Sequence, residues 1–125
     1  MAAAPNLKIK DLKKFSLFKS LSTEKVKEVI DKSTVQNILA GRTLFKQGDR
    51  DKWTVFLLTG SVELKTEGSP IKTIEAHTDD AREAVANEIP RPASARAKTN
   101  ISILIIDTDL LELLINFNAP SSIEV

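Results

Sequence analysis

The sequence predicts a mainly β domain, an antiparallel barrel or roll with helices at both ends. Three observations lead there. Residues 34–75 break into short β-prone runs separated by Gly41, Gly48, Gly60 and Gly68. Residues 7–32 instead space their apolar side chains at the helical period, and a second helical stretch follows at 107–117. Between the two, residues 101–106 are the most apolar run in the chain, which marks a central strand.

The elements follow in order. Leu12, Phe15, Phe18 and Leu21 recur every three residues and define one apolar side. Ser22 is a suitable N-cap with Glu24 behind it, and Val26, Val29 and Ile30 then form a face opposite Lys25, Lys27, Glu28 and Lys32. Strands are expected at 35–39, 43–45 and 53–58, the last a continuous β-prone run buried on both sides. Residues 61–65 alternate strictly, with Val62 and Leu64 inward, and 71–74 pairs back on them across the turn at 67–70. The expected core is Leu44, Phe56, Leu58, Val62, Leu64, Ile103 and Ile105. Trp53 belongs in the roll or at its rim. Gly48 and Gly60 lie between strands with polar neighbours, so both are turn residues and at least one has positive φ.

Residues 76–92 interrupt the β pattern. Asp79 and Asp80 precede a stretch of helix formers, which predicts a short helix over 81–87. Pro90 and Pro92 forbid regular structure across Arg91 and hold it stiffly. A helix start followed by an arginine-bearing loop is a cradle suited to phosphate. A strand follows at 94–98, and Asp107 or Thr108 caps the last helix.

Composition excludes several classes of function. The 125 residues make one domain with one core. Eighteen basic and seventeen acidic side chains leave a net charge of +1, so nucleic acid and membrane partners are not expected. Cysteine is absent, which removes disulfides, thiol nucleophiles and thiolate metal sites. No signal peptide or membrane-length apolar run is visible, and a cytoplasmic location is the default expectation. His77 with Asp79 and Asp80 lacks the further ligands that a metal requires, so no metal is expected. No serine, histidine and acid arrangement suggests catalysis. Lys8, Lys10, Lys13 and Lys14 read as a solvated helix face.

Three stretches together carry a resemblance. They are the turn Gln47-Gly48-Asp49, the turn and strand Thr59-Gly60-Ser61-Val62-Glu63-Leu64, and the stretch from Pro90 and Arg91 to Thr99. In this order and spacing the chain resembles the cyclic nucleotide-binding domain family over residues 12–117. That family is the sensor module of catabolite-activator-type regulators and protein kinase A regulatory subunits. The resemblance implies an antiparallel β-roll, a double-stranded β-helix of jelly-roll type. On that basis residues 1–33 are N-terminal helices, 34–106 the roll and 107–117 the C-terminal helix of a single domain, 1–125. It also implies a phosphate-binding cassette, with Arg91 as the anion contact and Arg82, Ala81, Ala93 and Ser94 around it. Its ligand would be cyclic AMP, cyclic GMP or another phosphate-bearing molecule.

Two departures alter that expectation. The family's cassette opens with Gly-Glu, whose glutamate accepts from the ribose 2′-hydroxyl. Ala81 and Arg82 stand there instead, and arginine has no acceptor atom. Glu83 or Glu88 is the alternative acid if the alignment slips. After the arginine the family lends a backbone N–H to the phosphate, whereas Pro92 has none. The chain is therefore expected to be a non-enzymatic regulatory module with weak, altered or lost cyclic nucleotide binding. The alternative is a ligand-free structural or protein-interaction domain, in which Arg91 faces solvent or pairs with an acid such as Glu88. Eight residues after Phe117 are too few for the family's covering helix. The chain is thus expected to be part of a longer protein, with an attached output domain or a partner protein.

Overall fold

Among the described residues seven strands form two antiparallel sheets. In the computed structural model the described residues are 7–116. Residues 1–6 and 117–125, including Phe117 of the expected last helix, lie outside them. The first sheet has the order β1 (Thr34–Ile38), β7 (Ile101–Asp107), β3 (Trp53–Thr59). The second has the order β2 (Thr43–Phe45), β6 (Ser94–Ala97), β4 (Ser61–Thr66), β5 (Ser69–Glu75). This is the antiparallel β-roll with flanking helices that the strand spacing and the resemblance imply.

Gly60 carries the chain from one sheet to the other. It has φ +87°, and a Cβ there would lie 2.5 Å from the Asn100 carbonyl oxygen. Only glycine meets both conditions at once. Gly48 also has positive φ, as its place in a polar turn requires.

The two sheets close on Val55, Leu57, Val62, Leu64, Ile74, Ala95, Ala97, Ile101 and Ile103, with Leu44 and Ile105 partly buried against them. The small Ala95 and Ala97 let β6 sit close beneath the opposite sheet. Phe56 and Leu58 do not belong to this interior. They face outward from β3 and pack against the helices. The reason is that β3 is buried on both faces, so its apolar run carries no alternation to reveal which residues point in. Trp53 lies at the rim, 43% exposed, with the Lys52 ammonium 5.4 Å from its ring centre.

The N-terminal segment is less regular than one continuous helical stretch. It consists of α1 (Ile9–Leu12), a 3-10 turn at Ser16–Phe18 and α2 (Thr23–Lys32). The apolar spacing of three suits a tighter winding than the α-helix. Leu12, Phe15, Phe18 and Leu21 are all buried, and the rings of Phe15 and Phe18 lie 4.9 and 5.1 Å from that of Phe56. Ser22 caps α2, its hydroxyl accepting from the Lys25 N–H at 3.1 Å. At the other end Asp107 caps α3 (Thr108–Asn116), accepting from the N–H groups of Asp109 and Leu110. The Leu110 N–H, above all, holds the Asp107 carboxyl below the usual range.

The expected helix over 81–87 does not form. A 3-10 turn, Asp79–Arg82, takes its place, and residues 83–93 are irregular. The backbone there has other partners. The Val85 N–H donates to the Val55 carbonyl at 2.8 Å, and Ala86 has φ +40°. Binding this segment to β3 overrides the helix propensity of its residues.

Candidate functional site

The loop of residues 81–94 lies against the start of β3, and Arg91 is its organising residue. Its backbone is tied to the Gly48 turn by two hydrogen bonds. The Gly48 N–H donates to the Arg91 carbonyl and the Arg91 N–H to the Asp49 carbonyl, both at 2.8 Å. The flanking prolines cannot supply such donors, so the backbone tie falls to Arg91.

The side chain turns inward and is 1% exposed. Nε donates to Asp51 Oδ2 at 3.0 Å, and Nη2 to Asp51 Oδ1 at 2.6 Å and to the Trp53 carbonyl. Nη1 donates to the carbonyls of Ala86 at 3.1 Å and Val85 at 3.4 Å. A guanidinium carries five N–H bonds. Here each has an acceptor within the protein. The Phe45 ring lies below, 4.0 Å from the guanidinium carbon, and adds a cation–π contact. Asp51 is held in the usual bidentate geometry for arginine. Its hydrogen bonds to Arg91 keep its carboxyl below the ordinary carboxylate range, against the opposing effect of burial.

Residues 35–117 match the profile of the cyclic nucleotide-binding domain. The chain belongs to that family. No curated protein matches its sequence. Solved structures of similar fold include the sensor domain of the transcriptional regulator DNR from Pseudomonas aeruginosa. That structure is 18% identical with TM-score 0.72, covering 90% of this chain and 83% of that one. The regulatory domain of Toxoplasma gondii protein kinase A, solved with cyclic AMP, is 16% identical with TM-score 0.72. The match covers 88% of this chain and 44% of that one. The regulatory subunit of a cyclic AMP-independent protein kinase A from Trypanosoma cruzi, bound to guanosine, is 18% identical with TM-score 0.73. Here 86% of this chain and 38% of that one are covered. At these identities the likeness is one of fold. This chain spans less than half of either kinase chain.

Within this cyclic nucleotide-binding fold the other expected contacts are dispersed. Ala81 and Ala93 are buried and pack in the core between the sheets. Their side chains serve packing, and neither has a polar side-chain atom. Ser94 is partly buried, and its hydroxyl accepts from the Gln47 N–H at 2.8 Å. Arg82 is exposed and reaches Asp79 at 3.4 Å on the surface. Glu83 and Glu88 are exposed, and neither pairs with Arg91 or Arg82. Asp51 and Phe45 are absent from the expected contacts. Asp51 lies 40 residues before its partner, and no local pattern joins them. The sequence offers only an acid two residues ahead of a buried strand, with Asp49 close by as an equal candidate.

Chemically, the site is a closed charge pair. It presents no unsatisfied guanidinium N–H to an anion. Among the described residues no cluster of His, Cys, Asp and Glu is placed to hold a metal, and no helix is long and apolar enough to cross a membrane.

Proposed function

We propose that this domain is a non-enzymatic regulatory module whose cyclic nucleotide binding is weak or lost, and whose arginine loop has become a structural clasp. The observation that carries this is the complete internal satisfaction of Arg91 by Asp51 and three backbone carbonyls. A phosphate at this loop must first displace a bidentate carboxylate from a buried guanidinium. The phosphate's own bonds then replace existing ones and add little net energy. Arg82 at the ribose position and Pro92 beside Arg91 act in the same direction, removing an acceptor and a donor.

On this reading the 81–94 loop keeps the form of a ligand cassette. Any residual anion contact through Arg91 requires release of Asp51. The module acts in the cytoplasm through an attached output domain or a partner protein. The ligand-free interaction domain is the limit at which binding is gone altogether. Calorimetric titration with cyclic AMP and cyclic GMP tests the proposal. The expected outcome is no heat of binding, or dissociation constants weaker than about 100 μM. Sub-micromolar affinity for either nucleotide would overturn it.

A further inference from the structure

A hollow of about 460 Å³ opens beneath the N-terminal segment at the far end of β3. Its apolar lining is Leu7, Phe15, Val35, Leu57, Leu58 and Ala81. It is separate from the Arg91 clasp. The clasp holds the start of β3 at Asp51 and Trp53, whereas the hollow lies at Leu57 to Thr59. Leu58 lies five residues along the strand from Trp53, roughly 16 Å.

The hollow adjoins a second recess of about 400 Å³, lined by Lys13, Lys14, Ser16, Lys19, His77 and Arg82. Lys14 and His77 line both. Among the described residues no carboxylate lines the second recess. The one acid in the first is Asp11, whose carboxylate already accepts from the Lys8 N–H at 2.9 Å. Lys13 donates to the Leu21 carbonyl. Arg82 has only the exposed Asp79, a pairing of small value in water. Lys14 and Lys19 pair with no carboxylate among the described residues. An apolar chamber in the size range of small-molecule sites thus opens directly onto a cluster of cations.

From this juxtaposition we infer a binding site for a small amphipathic anion, with its apolar body in the hollow and its anionic head among Lys14, Lys19 and Arg82. The apolar walls supply affinity by burying the body, and the cations select the sign of the head. The inference does not depend on whether Arg91 binds a nucleotide, because the two sites share no residue of the clasp.

The test is calorimetry on the full chain with octanoate, decanoate and dodecanoate, each below its micelle concentration. Dodecyltrimethylammonium serves as the cationic control. The expected result is binding that tightens with chain length, by up to about tenfold for each added pair of methylenes. The cationic amphiphile should bind at least about tenfold more weakly than dodecanoate. Lys14→Glu with Arg82→Glu should weaken dodecanoate by at least about tenfold while leaving the melting transition in place, since both side chains are exposed. If that double reversal fails to fold, Lys14→Gln with Arg82→Gln removes the charges without adding repulsion, and a smaller loss is expected. No binding by any carboxylate, equal binding of the cation, or a dodecanoate affinity unchanged by these substitutions overturns the inference.

Discussion

Arg82 and Arg91 stand nine residues apart in one loop, and their surroundings are opposite. Arg82 lies on a 3-10 turn, its side chain 58% exposed, 3.4 Å from a carboxylate that is itself almost fully in water. Arg91 is enclosed, with every N–H engaged and an aromatic ring beneath it. In sequence Arg82 falls in the expected short helix over 81–87 and Arg91 in the proline-bounded loop after it, and the resemblance places both around a phosphate. The structure separates them by what their neighbours already offer. An arginine is available to a ligand only when its donors are not yet committed. The one that the sequence resemblance implies as the anion contact is the one most completely committed.

That contrast makes unequal predictions for stability. The largest effect is expected from Arg91→Ala, which leaves Asp51 and three carbonyls without their donor. Three carbonyls left without a donor and an unpaired, partly exposed carboxylate should together cost about 3 kcal/mol. Urea denaturation should show this as a large fall in midpoint at unchanged slope. A loss below about 1 kcal/mol would mean that the clasp is not structural.

Asp51→Asn is expected to cost less, about 2 kcal/mol, because the amide still accepts one hydrogen bond and the site is partly exposed. Its dependence on pH sharpens the assignment. The folded Asp51 carboxyl titrates below its unfolded value, so the folded state binds fewer protons in that range. Its contribution is present above the unfolded value of about 3.9 and is lost as pH falls through the lower folded value. Wild type and Asp51→Asn should therefore converge in stability below about pH 4. A constant difference from pH 7 down to pH 2 would show that the carboxylate charge is not what holds Arg91.

The smallest effect is expected from Arg82→Ala, within about 0.5 kcal/mol of wild type in the same denaturation. A cost comparable to that of Arg91→Ala would abolish the distinction between the two arginines.

Much of the roll is legible in the sequence. The alternation at 61–65 places Val62 and Leu64 correctly, and the polar neighbours of Gly48 and Gly60 identify turns with positive φ. Strand β3 shows where such reading stops. Thr54, Val55, Phe56 and Leu57 are all buried, two faces against two different cores, so hydrophobicity does not say that Phe56 belongs to the helices. Residues 81–87 fail for another reason. Their helix propensity is real but weak, and the bonds of Val85 to β3 and of two carbonyls to Arg91 decide the backbone instead. The clasp itself depends on a contact between Asp51 and Arg91, distant in sequence, with the intervening chain forming the strands that bring them together. Only the folded roll makes that pair visible.

In the proposed function the Arg91 guanidinium is committed to the protein and closed to ligand. The most direct measurement is NMR of the Arg91 Nε–H group in the labelled domain, followed for solvent exchange and for its response to added cyclic AMP. The expected result is a slowly exchanging, hydrogen-bonded Nε–H whose signal stays in place when the nucleotide is added. A rapidly exchanging Nε–H, or one that shifts on saturation with cyclic AMP, would contradict it.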